Sequence, residues 1–101
     1  MSDARYQRIS ILIPVYNEVR FLEQILARVE AVDFCGLEPE IIMVDDGSTD
    51  GTLDILRRLE TTGKYRIFYH EKNRGKGAAL RTAIGHATGD ILVIQDADLE
   101  Y

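Results

Sequence analysis

Cysteine is almost missing from these 101 residues: Cys35 stands alone. A single thiol excludes an internal disulfide and any cysteine-built metal site, and such sparing use fits a reducing cytoplasm. Cys35 lies beside the turn signal "GLEP" (36–39) and is expected to be a bystander rather than a nucleophile. Long apolar runs are also missing. None approaches the roughly 20 residues of a membrane span, and the opening "MSDARYQR" lacks the apolar centre of a signal peptide. Positive charge is not in excess. A net charge of −5 argues against general binding to nucleic acid or to an acidic membrane. No repeat, linker or low-complexity tract divides the chain, so its length and its 46% apolar content suit one domain with a core of its own.

What is present alternates in type. "ISILIPV" (9–15) and "EIIMVDD" (40–46) are apolar, β-branched runs that predict strands buried on both faces. Pro14 falls at the end of the first, where it does little harm to pairing. "YRIFYH" (65–70) and "ILVIQ" (91–95) predict two more strands, the last also looking buried. Between them, Phe21, Leu22, Ile25, Leu26 and Val29 recur at helical spacing, with Asn17 as the expected cap. Leu53, Leu56 and Leu59 mark a second helix ending near Gly63, with Asp50 able to cap it. "AALRTAIGHA" (78–87) predicts a third, with Ala78, Ala79, Ala83 and Ala87 near one side for close packing on a sheet. The order β-α-β-α-β-α-β implies an α/β fold: a parallel sheet with right-handed crossovers and helices on both faces.

Ligands bind such sheets outside the carboxyl ends of the strands, and the unusual chemistry of this chain lies there. Asp96 and Asp98 are two apart, so they point the same way in an extended segment, and Glu100 continues the series. Converging carboxylates repel one another unless a hard cation lies between them, and Mg²⁺ or Mn²⁺ takes all-oxygen ligands. The bland alternative is a solvated acidic turn. In "VDDGSTDGT", one of Asp45 and Asp46 can accept a hydrogen bond from a base or ribose, while its neighbour shapes the loop; Ser48, Thr49 and Asp50 are expected to be turn and cap residues. "IPVYNE" offers Tyr16 for stacking and Glu18 for a ribose or base edge, or else simply starts a helix. "NRGKG" sets Arg74 and Lys76 beside two glycines at a helix N-terminus, an arrangement suited to an anion. It is neither a P-loop nor a complete dinucleotide fingerprint. His70 and His86 share no metal-ligand spacing and are expected to be ordinary edge or surface residues.

These four segments, "ISILIPVYNE", "EIIMVDDGSTDGT", "NRGKGAALRTAIGHATGD" and "ILVIQDADLEY", together resemble the successive motifs of family 2 glycosyltransferases with the GT-A fold, and within them the dolichyl-phosphate and polyprenyl-phosphate sugar transferases. The resemblance implies a Rossmann-like nucleotide-sugar-binding sheet over 9–101, with 1–8 as a tail. It implies an enzyme, a hexosyltransferase moving a sugar with inversion from a UDP- or GDP-linked donor to an acceptor such as a polyprenyl phosphate. Pro14, Tyr16, Glu18, Val44 and Asp45 or Asp46 would hold the nucleoside, and Arg74 or Lys76 the diphosphate. Asp96, Ala97 and Asp98 would meet sugar and diphosphate, with Asp96, Asp98 and Glu100 on a Mg²⁺ or Mn²⁺. Family members continue well past the D-x-D, so this chain is expected to be the donor-binding half, inactive alone, with apolar surface left to self-associate, and placed at the cytoplasmic face of a membrane in the full-length protein. The alternatives are a receiver-like signalling domain phosphorylated on Asp96, a nucleotidyltransferase, and a non-catalytic nucleotide-sugar-binding module. A receiver's acidic pair ends its first strand, whereas Asp45 and Asp46 end the second here. A nucleotidyltransferase would carry a Gly-rich loop where this chain has "PVYNE".

Overall fold

The computed structural model describes residues 7–97. Four parallel strands, β1 (Arg8–Val15), β2 (Glu38–Asp46), β3 (Arg66–His70) and β4 (Ile91–Ile94), form one sheet in the order β3-β2-β1-β4. Three helices connect them: α1 (Leu22–Glu30), α2 (Thr52–Glu60) and α3 (Lys76–His86). The α/β architecture is as the alternation of apolar runs and helical periods implies.

Strand pleating sends successive side chains to opposite faces, and both faces of β1 and β2 are covered. Ile9, Ile11, Ile13 and Val15 pack with Met43 against Leu22, Ile25 and Leu26 of α1 and Ile55 and Leu56 of α2. Leu12, Ile42 and Val44 face the other way, against Ala79 and Ala83 of α3. The small alanines let α3 lie close on the sheet. Each fully buried Leu or Ile contributes about 1.5–3 kcal/mol. Among the described residues no helix is long and apolar enough to cross a membrane.

Three expectations need correction. Asn17 does not cap α1: the helix starts at Leu22 with Phe21 in the cap position. Asn17 instead takes the left-handed conformation, φ 51°, which its short polar side chain tolerates. β4 is not buried on both faces. Among the described residues it is an edge strand, and Leu92, Val93 and Ile94 are 45%, 41% and 54% exposed. The third helix starts at Lys76, two residues before the predicted start, because the turn ahead of it is tied down from β2, as described below.

The winding direction fixes where a ligand can sit. From β1 the chain builds outward through β2 to β3, then crosses back to place β4 on the other side of β1. Loops therefore diverge at the carboxyl ends of β1 and β4 and leave a crevice between them.

Candidate functional site

The loops after β1 and β2 are bolted together. The Asn17 amide donates to Ser48 Oγ at 2.9 Å, and the Thr49 amide donates to Asn17 Oδ1 at 2.7 Å. The Glu18 amide donates to Thr52 Oγ1 at 3.0 Å. Asp50 accepts from the Thr52 amide, so the capping oxygen of α2 comes from the residue before Gly51, the cap position. Ser48, Thr49 and Asp50 thus do the structural work expected of them.

The paired acids at the end of β2 divide the labour. Asp45 is fully buried. Its Oδ2 accepts from the Gly47 and Ser48 amides at 3.1 and 3.0 Å, and its Oδ1 from the Ser48 hydroxyl. Asp46, one residue on, points to the opposite face. Its Oδ1 accepts from the Arg74 amide at 2.9 Å and its Oδ2 from the Gly75 amide at 2.8 Å. Oδ1 also meets His70 Nδ1 at 2.8 Å. Burial opposes charge on Asp46, but the His70 hydrogen bond and the two amides outweigh it and hold the carboxyl below its ordinary range. The loop from 71 to 75 therefore returns against the end of β2, and α3 begins where Asp46 releases it.

Gly47 makes that return feasible. Its φ is +79°, and a Cβ there would stand 2.6 Å from the backbone nitrogen of Asn73. Only glycine permits both the left-handed turn and the close approach.

These elements enclose a cavity of about 230 Å³ at the crossover between β1 and β4. Pro14, Tyr16 and Glu18 line it from the end of β1, Asp46 from β2, Lys76 and Ala79 from α3, and Asp96 and Ala97 after β4. Tyr16 is 44% exposed, an open aromatic face. The Lys76 ammonium pairs with the Asp96 carboxylate. Of the residues singled out from the sequence, Val44 is buried against α3, Asp45 serves its own loop, and Arg74 contributes its backbone; none of the three lines the cavity. Asp98 and Glu100 lie outside the described residues. Among the described residues no three His, Cys, Asp or Glu side chains gather as metal ligands. Among the described residues, the carboxylates of Glu18, Asp46 and Asp96 line the cavity, and that of Asp96 faces the Lys76 ammonium.

One site residue escaped the sequence reading. His70 stands on the outer strand β3 but is not an ordinary surface residue: its side chain is 8% exposed, Nδ1 meets Asp46 and Nε2 meets Thr82 Oγ1 at 2.8 Å. The signal was its register, since His70 pairs directly with Asp46 across β2 and β3. His86 is exposed and stacks on Phe68, with ring centroids 3.8 Å apart. The receiver-like alternative needs Asp45, Asp46 and Asp96 in one pocket, and the fold turns Asp45 away from it.

Residues 10–101 match the family described as glycosyl transferase family 2. The chain is 38% identical over 104 residues to the undecaprenyl-phosphate 4-deoxy-4-formamido-L-arabinose transferase of Edwardsiella ictaluri, covering 99% of this chain and 32% of that protein. It is 33% identical to the dolichol-phosphate mannosyltransferase of Pyrococcus furiosus, covering 93% and 26%. Among solved structures, a mannosyltransferase of Pyrobaculum calidifontis in complex with GDP-Man and Mn²⁺ superposes with a TM-score of 0.81 at 39% identity, covering 92% of this chain and 28% of that one. S. aureus TarS residues 1–349 in complex with UDP superposes with a TM-score of 0.79 at 29% identity, covering 91% and 28%. The chain thus spans about a quarter to a third of the relatives it matches.

Proposed function

This chain belongs to glycosyl transferase family 2, and we propose that residues 9–101 form the donor-binding half of an inverting sugar transferase, with 1–8 a tail outside it. The observation that carries the reading is the convergence of Tyr16, Asp46, Lys76 and Asp96 on one cavity at the crossover of the sheet. An aromatic face, an acceptor, a cation and a metal-competent carboxylate are what a nucleoside diphosphate with an attached sugar requires.

In this reading Tyr16 stacks on the base, and Glu18 and Asp46 accept hydrogen bonds from base or ribose. Pro14 shapes the wall beside them. Val44 and Asp45 act from beneath by fixing the strand end and the loop. Lys76 binds the diphosphate, helped by the first-turn amides of α3 and by Arg74 at its edge. Asp96, Ala97 and Asp98 meet the sugar, and Asp96, Asp98 and Glu100 would hold Mg²⁺ or Mn²⁺. The bound ion supplies charge neutralisation for the departing nucleoside diphosphate.

The acceptor oxygen attacks the anomeric carbon from the face opposite the diphosphate, which inverts the centre. A hydroxyl acceptor needs a general base. The named relatives point to a polyprenyl phosphate instead, and a phosphate oxygen is ionised already near neutral pH. Such an acceptor places the full-length enzyme at the cytoplasmic face of a membrane, in the assembly of cell-envelope glycans. Because the relatives are much longer than this chain, residues 9–101 alone are expected to bind donor and transfer little sugar.

Titrating UDP and GDP by calorimetry, with and without Mn²⁺, tests the reading. Binding of one nucleotide that strengthens with Mn²⁺ supports it. Identical isotherms with and without the metal overturn the metal role, and no binding of either nucleotide overturns the whole.

A further inference from the structure

We infer that His70 is a positioning residue for this site: its ring orients the Asp46 carboxylate, and through it sets the Arg74–Lys76 turn that carries the diphosphate-binding lysine. The inference rests on the reading of the cavity as a nucleoside diphosphate site.

The geometry leaves one hydrogen assignment. An ionised carboxylate only accepts, so His70 Nδ1 carries the hydrogen directed at Asp46 Oδ1. A hydroxyl both donates and accepts, so Thr82 Oγ1 satisfies Nε2 whether or not that nitrogen is protonated. The ring is therefore gripped at both ends, between the last residue of β2 and the second turn of α3. Its side chain and that of Asp46 are 8% and 4% exposed, so water does not readily replace either bond.

The consequence falls on the cavity. Rotation about the Asp46 Cβ–Cγ bond is soft, because sp³–sp² torsions have broad wells. The two backbone amides it receives come from the loop ahead of α3. His70 comes from the strand paired with β2, directly opposite Asp46. Its bond to Oδ1 selects the rotation that leaves Oδ2 aimed at the Gly75 amide. Gly75 ends the turn, and Lys76 follows with its ammonium in the cavity. Without the ring, the Asp46 carboxylate is free to rotate, the 74–75 amides lose their fixed acceptor, and Lys76 loses its starting point.

Two substitutions separate positioning from packing. Asparagine places its side-chain amide near the Nδ1 position, and glutamine places it near Nε2. His70→Asn therefore keeps the donor to Asp46, while His70→Gln reaches only Thr82. Calorimetric titration with GDP and UDP in the presence of Mn²⁺ should show His70→Asn within about twofold of the unsubstituted chain and His70→Gln weaker by about tenfold. That tenfold corresponds to about 1.4 kcal/mol, the scale of one hydrogen bond to a charged group. The ¹⁵N–¹H resonances of Arg74 and Gly75, recorded without nucleotide, should move in His70→Gln and stay in His70→Asn. Equal affinities and equal Gly75 shifts in the two variants overturn the inference. A chain that binds neither nucleotide overturns the cavity reading instead, and the Gly75 resonance then still decides the role of His70.

Discussion

Lys76 and Asp96 meet across the cavity, ammonium against carboxylate, one from the first residue of α3 and the other from the segment after β4. Nothing in their local sequence couples them, since twenty positions separate them. The crossover of the sheet does so, by bringing the head of α3 and the end of β4 to the same side of β1.

That pairing predicts opposite effects of one substitution. Lys76→Met removes both the cation proposed for the diphosphate and the partner of the Asp96 carboxylate. GDP or UDP should bind up to about tenfold more weakly, the loss of one charge-assisted contact, while Mn²⁺ added without nucleotide should bind more tightly. Calorimetry with each ligand separately reads the two signs; the same sign in both would contradict the arrangement.

Asp45 and Asp46 should fail differently. Asp45→Ala leaves the Gly47 and Ser48 amides and the Ser48 hydroxyl without their acceptor in a buried loop. The expected cost is about 2–3 kcal/mol of stability, visible in urea unfolding. Asp46→Asn keeps one acceptor oxygen but turns its NH2 on the Gly75 amide, or on the Arg74 amide and His70. It too should cost about 1–3 kcal/mol and, unlike Asp45→Ala, weaken nucleotide binding directly, several-fold.

Two glycines separate backbone strain from loop displacement. Gly36 (φ +85°) and Gly47 (φ +79°) both take the left-handed conformation, but a Cβ at Gly36 meets nothing within 4 Å. Gly36→Ala should cost about 1–2 kcal/mol from conformation alone. Gly47→Ala adds a collision with Lys72 and Asn73 and should lower both the melting temperature and nucleotide affinity, whereas Gly36→Ala lowers only the first.

Acid should unfold the protein partly through Glu40. Burial opposes its charge, but the Thr88 amide, the Ser10 and Thr88 hydroxyls and Arg66 outweigh that and hold its pKa at about 2, against 4.5 for the free side chain. The folded value lies below the unfolded one. The stability it contributes is therefore complete above about pH 4.5 and is lost as pH falls from there toward 2. The contribution is on the order of 2–3 kcal/mol. Glu40→Gln should be less stable at pH 7 and show a flatter loss between pH 5 and pH 2 (roughly that window) by circular dichroism.

The uncovered side of β4 should drive association. Leu92 and Ile94 are 45% and 54% exposed on a strand with a free edge among the described residues, a surface prone to pairing. Ile94→Lys should shift the chain toward monomer in light scattering and leave the melting temperature within about 2–4 °C, since surface changes usually stay within about 0.5 kcal/mol.

The division between the acids shows what was legible beforehand. Their position at a strand end was readable from the apolar run before them, and so was the collection of "PVYNE", "VDDGS", "NRGKG" and Asp96 on one edge of the sheet. Which of the two faces the cavity was not, because a shift of one residue exchanges the faces of a strand. His70 was misjudged for a related reason: its partners Asp46 and Thr82 lie 24 and 12 positions away, and no local pattern announces them. The burial assigned to "ILVIQ" failed because an apolar run records what a strand can bury and says nothing of whether a neighbour is there to bury it.

By itself, then, the sequence determined the elements, their order and their parallel arrangement, because hydrophobic periodicity and crossover handedness are local consequences of side-chain geometry. Strand register and the switch from β3 back to β4 decided the rest: which carboxylate faces the cavity, which histidine holds it, and which lysine answers Asp96. Those pairings are made across the sheet, between residues far apart in the chain, and only the packed sheet sets their distances.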